Sequence, residues 1–149
     1  MNYMKINTLD IANGEGVGVS LFVSGCDIRC KDCFNSIAWD FNSGHEYTKE
    51  VHERFLSYIN PSYIERVSIL GGEPMSERNA ETVLRIISDI KEKYPKKKIW
   101  LYTGYTYENI KTKYDLSKID VVVDGMYITE LKDYKLKYRG SSNQRIIRH

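Results

Sequence analysis

Strand-like and helix-like segments alternate through the middle of this chain, and that alternation restricts the possible folds more than any other feature. Val67 to Leu70 is a short β-rich run that stops at Gly71-Gly72-Glu73-Pro74. Ser76 follows as an N-cap for a helix with Ala80, Val83, Leu84, Ile87, Ile90 and Tyr94 on one stripe, and Pro95 is its stop. Ile99 to Tyr102 reads as the next strand and ends in Thr103-Gly104, Thr106 caps a helix through Ile110, and Val121 to Val123 reads as a buried strand ending in Asp124-Gly125. Strands joined through helices run parallel, so the pattern predicts an α/β fold with a mostly parallel sheet. With four β-α units in 149 residues, the chain is too short for a closed eight-fold barrel, for which about 250 residues is typical. The expectation is a partial, incomplete β/α barrel forming a single domain over residues 1–149.

The first unit lies upstream. Ile6 to Ile11 alternates weakly into the turn signal Asn13-Gly14-Glu15-Gly16, and Val17, Val19, Leu21 and Val23 alternate behind it, which predicts a hairpin-like approach to the first core strand. Ser36 to Phe41 suits a short helical turn, and Thr48 caps a helix carrying Val51, Phe55, Leu56 and Ile59, ended by Asn60-Pro61. The tail from Lys132 is basic and aromatic without clear periodicity. In parallel α/β folds ligands bind at the carboxyl ends of the strands. Four special loops should therefore share one face: Cys26 to Cys33, Gly71 to Pro74, Thr103-Gly104 and Asp124-Gly125.

Cys26, Cys30 and Cys33 are all the cysteines the chain has. Thiolates are soft ligands suited to zinc or iron-sulfur clusters, and three in eight residues can converge on one centre. A set one short of closure leaves a coordination position open, which a catalytic centre needs and a structural one avoids. A zinc site completed by His45 or His52 is the alternative, but zinc modules usually pair two separated knuckles.

With 22 Lys and Arg against 20 Asp and Glu, charge does not suggest a general nucleic-acid or anionic-membrane binder. Lys96-Lys97-Lys98 reads as a solvated face. No apolar run approaches the ~18 residues of a membrane span, and Met1-Asn-Tyr-Met-Lys-Ile-Asn resembles neither a signal nor a transit peptide. A cytoplasmic protein is expected, whose clustered thiols bind metal rather than form disulfides.

The spacing C-x3-C-x2-C directly after a strand resembles the cluster loop of the radical S-adenosylmethionine superfamily, and Gly71-Gly72-Glu73-Pro74 resembles its second motif. Asn13-Gly-Glu-Gly16, Leu21-Phe-Val-Ser-Gly-Cys26, Cys33-Phe-Asn35, Trp100-Leu-Tyr-Thr-Gly-Tyr105, Val123-Asp-Gly125 and Arg139-Gly-Ser-Ser-Asn-Gln144 are similar to the activating component of anaerobic (class III) ribonucleoside-triphosphate reductase. Two positions depart from the usual patterns. Asp32 stands where many superfamily members place an aromatic, with Phe34 just beyond the last cysteine, and Glu15 replaces a usual proline.

The resemblance implies that Cys26, Cys30 and Cys33 ligate three irons of a 4Fe-4S cluster while the fourth iron takes the amino and carboxylate groups of S-adenosylmethionine. It implies that Asp32, Cys33, Phe34, Gly71, Gly72 and Glu73 line the S-adenosylmethionine site. Reductive cleavage would give methionine and a 5′-deoxyadenosyl radical, which removes a hydrogen atom from a glycine of the large reductase subunit. A low-potential donor such as flavodoxin would supply the electron. Activation of a formate-lyase-type glycyl-radical enzyme is the neighbouring reading, and a zinc-binding adaptor the non-enzymatic one. Asp124 and Asn143 are candidates for supporting or partner contacts, or for plain turn chemistry. Tyr102, Tyr105 and Tyr107 read chiefly as packing residues with wet hydroxyls.

Overall fold

The computed structural model describes residues 1–30, 33 and 36–149. The strands are β1 (Asn2–Asp10), β2 (Gly18–Val23), β3 (His45–Glu46), β4 (Arg66–Gly71), β5 (Lys98–Tyr102), β6 (Val121–Asp124) and β7 (Arg145–Arg148), and the helices are α1 (Lys49–Ile59), α2 (Glu77–Lys93) and α3 (Tyr107–Lys111). One mixed sheet holds the strands in the order β3-β1-β2-β4-β5-β6-β7. The central four, β2, β4, β5 and β6, run parallel, while β1, β3 and β7 are antiparallel to their neighbours. The sheet is open, with β3 and β7 at its edges.

The predicted β1–β2 approach forms, but β1 starts earlier than its alternation suggested, and Ile11 lies beyond it, exposed. Thr48 caps α1 by accepting from the Val51 N–H at 3.2 Å, and Thr106 caps α3 through Asn109. Ser76 occupies the N-cap of α2 as read, yet its hydroxyl makes no cap bond. Losing a threonine cap costs about 1 kcal/mol. Thr48→Ala should therefore lower the melting temperature by about 2–4 °C, measured by thermal denaturation.

Register separates the two faces of the sheet. Val19, Val67 and Ile99 stand side by side, as do Leu21, Ile69, Leu101 and Val122, and this face packs on Val51, Phe55 and Ile59 of α1, Ala80, Val83, Ile87 and Ile90 of α2 and Ile110 of α3. The opposite row is Ser20, Ser68, Trp100 and Val121, and among the described residues the three α-helices contribute their buried side chains to the first face. The opposite row is covered by turns: Trp100, Val121 and Val123 pack with Tyr102, Tyr138 and Ile146 in a second cluster.

The loop between β1 and β2 wraps a buried cation on that helix-free side. Arg66, 1% exposed, donates from Nε to the Glu15 carbonyl at 3.1 Å and from Nη1 to Ser68 Oγ at 2.7 Å, bonds the Asp10 carbonyl through Nη2, and faces the Asp10 carboxylate at 3.9 Å. A Cβ at Gly14 would lie 2.5 Å from Arg66 Cδ, and Gly14 has φ +143°. The Asn13-Gly-Glu-Gly16 segment is thus shaped around a guanidinium. Glu15 reaches across to pair with Arg148 of β7.

Candidate active site

Because β2, β4, β5 and β6 are parallel, their carboxyl ends fall on one edge. The loops found there are the four anticipated: Ser24-Gly25-Cys26 after β2, Gly72-Glu73 after β4, Thr103-Gly104 after β5 and Gly125 after β6. They surround a cavity of about 590 Å³ that runs onto the helix-free face. Cys26, Cys30, Cys33, Gly71, Gly72 and Glu73 all line it. Asp32 and Phe34 lie outside the described residues.

The cysteine loop is anchored at both shoulders. Gly25 N–H donates to the Ala38 carbonyl at 2.6 Å and Cys26 N–H to Trp39 at 3.0 Å, while the Glu73 N–H donates to the Gly25 carbonyl at 2.6 Å. Arg29 turns the chain with φ 52°, its N–H 3.5 Å from Cys26 Sγ. Burial pushes the thiols of Cys26 and Cys30 up.

The donor set fits an iron-sulfur cluster chemically, since it offers soft thiols only, from one loop, on a cavity with space beside them. Among the described residues, no three His, Cys, Asp or Glu side chains are gathered tightly enough to hold a metal ion, so the cysteines share the cavity without forming a closed triad. Neither His45 nor His52 lines it. His52 is occupied elsewhere, with Nδ1 2.6 Å from Tyr47 Oη and Nε2 2.8 Å from Asp89.

The Gly71-Gly72-Glu73 turn is explained largely by the chain itself. A Cβ on Gly71, at φ +116°, would sit 2.6 Å from the Val23 backbone, and one on Gly72 would sit 2.4 Å from the Gly25 carbonyl oxygen. The glycines let the turn press against β2 and the cysteine loop. Glu73, 1% exposed, spends both carboxylate oxygens internally: Oε1 accepts from the Gly104 N–H at 2.7 Å, and Oε2 from the Met75 N–H and Thr103 Oγ1, both at 2.8 Å. Burial pushes its pKa up to about 7 against the pull of these donors. A single carboxylate therefore ties the loops after β4 and β5 together.

A family model described as a 4Fe-4S single cluster domain matches residues 12–147. The anaerobic ribonucleoside-triphosphate reductase-activating protein of Vibrio cholerae is 41% identical over 99% of this chain and 98% of its own length. The proteins of the same name from Enterobacteria phage T4 and Escherichia coli are 39% and 37% identical, over 98% and 100% of this chain and 93% and 99% of theirs. The chain belongs to the anaerobic ribonucleoside-triphosphate reductase-activating protein family.

Within that family frame, several contributors escaped the sequence reading. Asn79 of α2, 1% exposed, donates to the carbonyls of Ser24 at 2.9 Å and Glu73 at 3.1 Å, joining the two motif loops. Its polar side chain beside the apolar stripe of Ala80 and Val83 was the available signal. The Arg139-Gly-Ser-Ser-Asn-Gln144 segment folds into a knot of side-chain amides. Gln144 Oε1 accepts from the Gly140 and Ser141 N–H groups at 2.8 and 3.0 Å, and its Nε2 donates to the Gly125 carbonyl at 3.0 Å. Asn143 Nδ2 donates to the Met126 carbonyl at 2.8 Å, and Asp124 accepts from Tyr107 N–H and Arg145. Both make turn and edge contacts beside Gly125 and Gln144, which line the cavity. Tyr105 Oη donates to Asp27 at 2.7 Å and Tyr107 Oη meets His149 at 3.0 Å, whereas the Tyr102 hydroxyl is buried.

Proposed function

We propose that this chain is a radical S-adenosylmethionine activase that generates a glycyl radical on the large subunit of anaerobic ribonucleoside-triphosphate reductase. The observation that supports this most is one cavity: three cysteines and Gly71 to Glu73, distant in sequence, line it together at the carboxyl ends of parallel strands. In this reading Cys26, Cys30 and Cys33 hold a 4Fe-4S cluster, and Asp32, Cys33, Phe34 and Gly71 to Glu73 contribute to the S-adenosylmethionine site.

When bound, the cluster supplies the electron that cleaves the sulfonium reductively. The chain's own part is to withhold a fourth thiolate, so that one iron stays open to the substrate. Glu73 acts as a positioning residue, since its carboxylate fixes the loops after β4 and β5 and any contact of this turn with ligand falls to the backbone it holds. Phe22, Ile28 and Leu70 give the cavity apolar walls that keep water from a reactive intermediate. The open sheet, with helices on one face only, reads as an incomplete β/α barrel of radical-S-adenosylmethionine type working as one domain. A cytoplasmic setting and a low-potential donor such as flavodoxin complete the picture. No helix among the described residues is long and apolar enough to cross a membrane.

Anaerobic reconstitution tests the proposal. Iron and sulfide analysis with paramagnetic resonance should find a reducible cluster, and incubation with S-adenosylmethionine and the reductase subunit should give a glycyl radical. Zinc without a reducible cluster would end the radical reading. A cluster without a radical on that subunit would move the chain to another glycyl-radical partner.

A further inference from the structure

We propose that Tyr105 is a positioning residue for Cys26, acting through Asp27, and that this tether sets how firmly the cysteine loop keeps its iron. The inference rests on the cluster reading above and extends it to a side chain outside the cysteine and glycine loops.

One hydrogen bond joins segments far apart in the chain. Tyr105 Oη donates to Asp27 Oδ1 at 2.7 Å, the length of a charge-assisted bond to a carboxylate. Asp27 directly follows Cys26 and is exposed, whereas Cys26 is buried. The two loops also meet one residue away, where a Cβ on Gly104 would come 2.5 Å from Ile28 Cδ1.

The phenol is delivered from a fixed base. The Tyr105 N–H donates to Thr103 Oγ1 at 3.1 Å, and its carbonyl accepts from the Gly125 N–H at 3.1 Å. Its ring packs against the main core. Tyr105 therefore touches the loops after β2, β5 and β6 at once.

These bonds close a circuit around Cys26. Thr103 Oγ1 donates to Glu73 Oε2 at 2.8 Å, and the Glu73 N–H donates to the Gly25 carbonyl at 2.6 Å. A path that leaves Gly25 passes through Glu73, Thr103 and Tyr105 and returns at Asp27, so both chain neighbours of Cys26 are tied to the ends of β4 and β5. The Gly25 side is a main-chain bond that many sequences could make. The Asp27 side needs a phenol and a carboxylate, and is the half of the circuit that side chains encode. Partners that orient a metal's ligands typically change metal affinity 10- to 100-fold when removed. An exposed bond belongs at or below the low end of that range.

A double-mutant cycle on the anaerobically reconstituted full chain tests the tether, with the rate of iron release to excess chelator measured for the parent, Tyr105→Phe, Asp27→Ala and the two together. Tyr105→Phe keeps the ring that packs on the core and Asp27 is exposed, so folding is not at stake. Each single substitution should speed release roughly 3- to 10-fold, and the double variant should release iron no faster than the faster single one. Asp27→Ala also removes a charge beside the thiols, an effect that the cycle separates from the tether. Asp27→Asn, which keeps an acceptor for the phenol, should stay within about twofold of the parent. The metal-free chains should all melt within about 2 °C of one another. Effects that multiply in the double variant would overturn the proposal, as would unchanged release in Tyr105→Phe. So would a metal-free melting temperature that falls in step with release, because Tyr105 would then be a general brace. A parent chain that takes up no cluster would overturn the cluster reading together with the tether.

Discussion

Single replacement of Cys26, Cys30 or Cys33 by alanine is expected to abolish glycyl-radical formation, with iron and sulfide content and the reduced-cluster resonance falling together. The three positions are not interchangeable in the fold. Cys26 is 7% exposed, at the shoulder where β2 ends, with its sulfur near the Arg29 N–H, whereas Cys30 and Cys33 are half-buried further along the cavity. No other cysteine exists to substitute, and neither His45 nor His52 borders the cavity. Far-ultraviolet circular dichroism should stay unchanged, because the sheet and helices close their core without these thiols. An alanine variant that kept both a reducible cluster and activity would show that the cluster is held differently.

Glu73→Ala should be the most damaging substitution away from the thiols. It strips acceptors from the N–H groups of Met75 and Gly104 and from the Thr103 hydroxyl. A buried donor left without a partner costs about 1–3 kcal/mol, so a total loss of about 3–5 kcal/mol is expected. That corresponds to a drop in melting temperature of roughly 10 °C for a chain of this size. Loss of S-adenosylmethionine binding should accompany it, since the turn that the carboxylate braces would loosen.

The same residue gives stability a pH dependence. Burial raises the Glu73 pKa from 4.5 in the unfolded chain to about 7, so between those values the folded state binds more protons than the unfolded one. Its stabilising contribution is full below about pH 4.5 and is lost as pH rises through about 7. Melting temperature should show that decline in the parent protein, and Glu73→Gln, which does not titrate, should flatten it. A parent profile no steeper than that of the variant would mean that the three donors outweigh burial.

Much of this arrangement could be read from residues alone, for definite reasons. Runs such as Val121-Val-Val123 and the stripe from Ala80 to Ile90 carry their own periodicity, and Thr48 and Thr106 announce helix starts that the structure caps through their hydroxyls. The four site loops followed from strand ends plus parallel order. β7 was not legible, because Arg145-Ile-Ile-Arg148 has two apolar residues and no alternation; it is a strand because the edge of β6 accepts it. Arg66 was equally hidden. A charged residue opening an apolar run reads as exposed, and only the fold brings the Asp10 and Glu15 carbonyls around it. Arg139 and Gln144 belonged to a recognisable motif, but their link to Gly125 depends on side-chain geometry that spacing does not encode.

Helices back one face of the sheet, and turns cover the other. Behind it, regular hydrogen-bonded segments fix the strand ends and with them the cysteine loop. In front, the wall from Met126 to Gln144 is held by side-chain amide and hydroxyl bonds and by the packing of Tyr138 on Trp100. What approaches from the front therefore meets side chains and turns, whereas the thiol loop is set by strand ends backed by helices.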